Sequence, residues 1–128
     1  MHSVFNGVRI LIVDDEPDLR EILYEDFSFY GATVSTAKNG REAYEIAMRE
    51  QPHVILSDVR MPEGDGVELL QRVRIQFPTA PPVFILLTGF SALAPERASA
   101  LGSQSLVSKP INLRVLRERV IEVLEKPA

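Results

Sequence analysis

The chain has 128 residues, 45% apolar and 25% charged, and its 14 basic and 18 acidic side chains give a net charge of −4. That is the size and balance of one globular domain able to bury a core without staples, and the acidic surplus argues against direct nucleic-acid binding. Cysteine is absent, which removes disulfides, thiol catalysis and thiolate–zinc sites; no apolar run is long enough to cross a bilayer and no signal peptide is evident, so a cytoplasmic protein without membrane contact is expected.

Residues 8–13 (VRILIV) predict a buried strand. Pro17 suits the first turn of a helix, with Leu19, Ile22, Leu23 and Phe27 as its apolar stripe and Gly31 as its end. Residues 33–36 predict a short second strand, and 41–50 a helix with Ala43, Ala47 and Met48 inward. Residues 53–57 (HVILS) predict the third strand, and 67–77 a helix carrying Leu70, Val73 and Phe77 on one face. Residues 83–87 (VFILL) predict the fourth strand, 95–101 a short helix, and 105–107 a short fifth strand. A last helix over 113–125 turns Leu113, Leu116, Val120 and Leu124 inward. His2 and His53 are far apart and form no metal-ligand pattern. One domain is expected over 1–128, with its core at about 8–125.

Five strands alternating with five helices imply an α/β fold: a parallel sheet with right-handed crossovers and helices on both faces. The first, third and fourth strands are almost wholly apolar, as burial on both faces requires. In such sheets a site forms beyond the carboxyl ends of the strands, where the strand order reverses.

Five polar residues fall at those ends. Asp14 and Asp15 follow the first strand, Asp58 the third, Thr88 the fourth and Lys109 the fifth. Singly, each has a plain structural role: helix caps for the acids, a β-branched strand end for Thr88, a solvated turn for Lys109. Together they would bring three carboxylates, a hydroxyl and an ammonium into one cleft. Three carboxylates suit a hard divalent cation, and Mg²⁺ is the expected one because it takes few protein carboxylates beside water and phosphate oxygens. A carboxylate can also act as nucleophile and form an aspartyl phosphate. Phosphoryl transfer then needs positioning and charge neutralisation more than further covalent chemistry.

VDDE at 13–16, SDVRMPEGDG at 57–66, LLTG at 86–89 and SKP at 108–110 occur in order and at spacings that resemble the receiver domains of bacterial response regulators. The resemblance runs from the first strand to the last helix. It implies a flavodoxin-like (βα)5 fold with strand order 2-1-3-4-5. It implies that Asp58 takes a phosphoryl group from a sensor histidine kinase or a phosphotransfer protein, and that the domain catalyses only its own phosphorylation and dephosphorylation. Asp15, Asp58 and the backbone carbonyl of Arg60 would ligate Mg²⁺, with Asp14 acting through a water. Lys109 and Thr88 would contact the phosphoryl oxygens, the Lys109–Pro110 peptide would be cis, and Gly89 would leave room for the phosphoryl group. Movement of Thr88 would then bias the face made by helix 4, strand 5 and helix 5.

Two places depart from the family pattern. Leu106 stands where many receivers have a rotating aromatic, which makes it either an apolar filler or a sign of altered coupling between Thr88 and the output face. Gly64 replaces a larger residue in the loop after Asp58, and Arg60 and Phe90 flank the expected phosphoryl position, where they would influence hydrolysis. Arg114, Arg117 and Arg119 alternate with Glu118 and Glu122 on the last helix, a solvated face or, alternatively, a homodimer or partner surface. Two other functions compete. A small phosphatase of the haloacid dehalogenase kind would use Asp14 and Glu16, and an adaptor would keep the fold without using phosphate. The chain ends just after the last helix, which fits a complete single-domain regulator and a receiver cut from a longer protein equally.

Overall fold

The structure, a computed structural model, describes residues 3–61, 65–89 and 93–125; Gly64 and Phe90 lie outside them. Within the described residues, β1 (Arg9–Val13), β2 (Thr33–Ala37), β3 (Val54–Asp58), β4 (Val83–Thr88) and β5 (Ser105–Ser108) form one parallel sheet in the order β2-β1-β3-β4-β5. Between them run α1 (Pro17–Phe29), α2 (Gly40–Glu50), α3 (Gly66–Gln76) and α4 (Pro95–Leu101), and α5 (Leu113–Glu125) follows β5. The doubly wound α/β fold expected from the alternation is the one observed.

Period-2 alternation splits the strand side chains between two cores. Ile10 and Ile12 of β1 join Leu56, Ile85, Leu23, Phe27, Leu116 and Val120 under α1 and α5. Leu11 and Val13 join Ile55, Phe84, Leu86, Ala47, Leu69 and Ala98 under α2, α3 and α4. All five residues of β3, the central strand, are buried, which accounts for its near-continuous apolar sequence.

Local chemistry sets the helix ends. Pro17 occupies the first turn of α1. The side chains of Asn39 and Asp65 accept the backbone N–H groups of Glu42 and Glu68, capping α2 and α3. At the far end of α2, Gln51 is left-handed (φ 49°), and the Arg9 guanidinium donates to the carbonyls of Glu50 and Gln51.

Several sequence expectations need correction. Ile22 is 48% exposed, because the stripe facing the sheet follows the four-residue step through Leu19, Leu23 and Phe27 and leaves Ile22 at its edge. On α5 the inward set gains Val123, which is buried, beside the expected Leu113 and Leu124, which are half-buried against the same core. The core begins before residue 8: Phe5 is 1% exposed, packs against Phe27 in a tilted arrangement with ring centroids 5.3 Å apart, and its N–H donates to the Tyr30 carbonyl.

Candidate functional site

Parallel register places the strand ends side by side. Val13 pairs with Ser57, Asp58 with Leu87 and Thr88 with Ser108. The chain leaves β1 toward β2 on one side and β3 toward β4 on the other, so the residues just beyond β1 and β3 stand at the reversal point. Asp58 and Thr88 are the last residues of their strands rather than the first after them.

Lys109 ties the site together. Its Nζ donates to Glu16 Oε2 at 2.9 Å, Asp14 Oδ2 at 3.1 Å and Asp58 Oδ2 at 3.3 Å. Carboxylate oxygens of Asp14, Glu16 and Asp58 lie within 4.8 Å of one another. Among the described residues Glu16 thus joins Asp14 and Asp58 in the acidic cluster, a member the strand-end expectation of Asp14, Asp15 and Asp58 did not include. Residues in extended backbone alternate sides, and Glu16 is extended (φ −88°, ψ 110°), so it shares a side with Asp14. Asp15 is exposed, but its negative charge still acts on Asp58. The signal for Glu16 was the third acid of VDDE, which sequence reasoning weighed only for the phosphatase alternative.

Burial dominates the electrostatics. Asp14 has no exposed surface; desolvation raises its pKa above the ordinary carboxylate value, against the Glu16 N–H and Lys109 bonds that oppose the rise. Desolvation also raises Asp58, aided by the charge of Asp14, while Lys109 pulls it down. Burial acts to lower Lys109, but its hydrogen bonds to Glu16 and Asp14 outweigh that and raise it. The donors are oxygens of carboxylates, partly desolvated and crowded, which is the chemistry a hard divalent cation takes.

Asp14 and Asp58 differ in access. Asp14 Oδ1 accepts the Glu16 N–H and Oδ2 faces Lys109. Asp58 lines an open cleft of about 1090 Å³, as do Glu16, Arg60, Thr88 and Lys109, and Asp14 does not. One wall of the cleft is apolar, formed by Leu19, Ile22, Pro110 and Ile111. The Lys109–Pro110 peptide is cis. Thr88 Oγ1 donates to the Gly89 carbonyl at 3.3 Å. Leu106 is half-buried and packs with the α2–α3–α4 core.

Two supporting residues had no role in the sequence expectations, although both sit inside the SDVRMPEGDG motif. The Ser57 hydroxyl donates to the Asp58 carbonyl at 2.9 Å. Gly66, the first residue of α3, donates its N–H to the Val59 carbonyl, and a Cβ there would lie 2.1 Å from the Asp58 carbonyl oxygen. The start of α3 is thus pressed against the backbone that carries Asp58.

Similarity to known proteins extends over most of the chain. A family model described as response regulator receiver domain matches residues 10–121. The chain is 35% identical over 116 residues to response regulator protein PilR of Pseudomonas aeruginosa, covering 91% of this chain and 26% of that protein. It is 34% identical over 122 residues to a probable chemotaxis protein CheY of Rhizobium etli, covering 92% of this chain and 93% of the relative. Among solved structures, a CheY-like receiver domain protein from Methanospirillum hungatei superposes with a TM-score of 0.85 at 28% identity, over 92% of this chain and 94% of that one. The chain spans about a quarter of PilR and, likewise, 35% of a protein-glutamate methylesterase/protein-glutamine glutaminase from Carboxydothermus hydrogenoformans.

Proposed function

The chain belongs to the response regulator receiver domain family, and on that footing we propose that it is one receiver domain over 1–128 in which Asp58 is the phosphoryl acceptor. The observation that carries this is the access difference within the acidic cluster. Asp58 opens on the cleft with Lys109 at 3.3 Å, whereas Asp14 is sealed with both oxygens bonded. That difference also disfavours Asp14 as a nucleophile of the phosphatase kind.

The acidic cluster suits Mg²⁺, for which Asp15, Asp58 and the Arg60 carbonyl would be the direct ligands and Asp14 would act through a water. When bound, the cation would neutralise charge on phosphoryl oxygens. The chain's own groups do the rest. An Asp58 oxygen attacks the phosphorus of a phosphohistidine on a sensor histidine kinase or phosphotransfer protein. The P–O bond forms as the P–N bond breaks, and the imidazole nitrogen leaves with the bonding pair and takes a proton from water. Lys109 and the Thr88 hydroxyl hold the oxygens of the transferred group. Hydrolysis later releases inorganic phosphate by attack of water on phosphorus and restores the carboxylate.

Reorientation of Thr88 at the end of β4 would shift the neighbouring face of α4, β5 and α5, which is the surface expected to meet an output partner or a second copy. No described helix is long and apolar enough to cross a membrane, consistent with a cytoplasmic switch. The test is intact mass after incubation with phosphoramidate or acetyl phosphate and Mg²⁺. One added phosphoryl group, blocked by EDTA and absent in Asp58→Asn, is expected; an adduct that persists in Asp58→Asn would refute the assignment.

A further inference from the structure

Lys109 has three N–H donors, and in this structure three carboxylates take them: Glu16, Asp14 and Asp58. A phosphoryl oxygen approaching Lys109 must therefore displace one of the three. Asp14 is a poor candidate, since it is fully buried and losing its cation would leave a desolvated charge uncompensated. Asp58 carries the incoming group itself. Glu16 is 62% exposed along its side chain and can return its carboxylate to water at little cost.

The placement of Glu16 points the same way. It is the N-cap residue of α1, a position that favours short side chains able to accept the helix's first N–H groups. Glu16 makes no such bond; its side chain is turned to Lys109, in the shortest of the three contacts.

Resting on the assignment of Asp58 as acceptor, we propose that Glu16 is a positioning residue that holds the Lys109 ammonium in the unphosphorylated protein and surrenders it to the phosphoryl oxygen. Glu16 thereby stabilises the resting state and slows phosphorylation. Its removal frees one Lys109 donor and lowers the negative charge that an anionic donor meets at the cleft.

The test compares the parent chain with Glu16→Gln, which loses no capping bond, at saturating Mg²⁺ with phosphoramidate as donor. Glu16→Gln is expected to be phosphorylated about fivefold faster, the effect of one exposed unit charge at contact distance. That advantage should shrink toward unity as KCl is raised and the pair is screened. The Lys109 ammonium ¹⁵N resonance gives a readout that a structural role would not move: parent and variant should differ before phosphorylation and coincide after it. An equal or slower rate, or Lys109 resonances already identical in the unphosphorylated proteins, would overturn the role of Glu16 while leaving Asp58 as acceptor. A parent chain that takes no phosphoryl group would overturn both.

Discussion

Replacing Gly66 by alanine separates two opposed physical effects by their sign. Gly66 opens α3 with an ordinary negative φ, so helix propensity alone favours alanine there by up to about 1 kcal/mol. The structure opposes this. The added Cβ would sit 2.1 Å from the Asp58 carbonyl oxygen, 3.1 Å from its carbonyl carbon and 3.0 Å from Ser57 Oγ. The closest of these is backbone in the fully buried central strand, which cannot step aside as a side-chain tip would. Separation by roughly an ångström is needed, and overpacking of this kind costs about 3 kcal/mol. Retreat of α3 also stretches the 2.9 Å bond from the Gly66 N–H to the Val59 carbonyl, a loss of about 1 kcal/mol. The net expectation is destabilisation by about 3 kcal/mol, or a melting temperature lower by about 10 °C for a domain of this size. Urea unfolding followed by circular dichroism measures it. Because Asp58 shares the displaced backbone, phosphorylation by phosphoramidate should slow as well, by up to about 100-fold for a shift near 1 Å. A Gly66→Ala protein as stable as the parent, or more so, would refute the claim that space and not conformation requires glycine here.

The pKa of Asp58 is raised from the ordinary 3.8, by burial first and by Asp14 second. A raised folded-state value means stability present at pH below 3.8 and lost as pH rises through the folded-state pKa. Asp58→Asn should therefore melt higher than the parent at neutral pH, with the gap closing as pH falls; a gap that is absent or of opposite sign at pH 7 contradicts the electrostatic account. Phe5→Ala removes a ring that is 1% exposed and should cost about 3–5 kcal/mol in urea unfolding, whereas a loss under about 1 kcal/mol would mean the segment before β1 is not part of the core. Leu106→Ala, at a half-buried site against the α4 side of the sheet, should cost about 1–2 kcal/mol, less than a fully buried leucine. Amide shifts in α4, β5 and α5 on phosphorylation should also shrink in Leu106→Ala, and a full set of unaltered shifts would assign the side chain to packing alone.

Much of the fold was legible because burial on both faces of a parallel sheet writes itself locally. VILSD and VFILLT are apolar runs that turn polar only at their carboxyl ends, in Ser57–Asp58 and in Thr88, and the helices of the fold carry caps or prolines at their starts. Once strands alternate with helices, crossover handedness sends every strand's carboxyl end to the same edge. Asp14, Asp58, Thr88 and Lys109 could therefore be placed at one site without coordinates. The reach of side chains across that edge could not be placed in this way. Whether Asp15 or Glu16 meets Lys109 depends on the side to which an extended backbone turns each residue. Whether Gly66 is free or wedged depends on how closely α3 approaches β3. The burial of Phe5 depends on Phe27, twenty-two residues away in the chain. Local periodicity determines which elements form and which ends they present; only long-range packing, through distances between residues far apart in sequence, decides which carboxylates share one ammonium and which one of them opens onto the cleft.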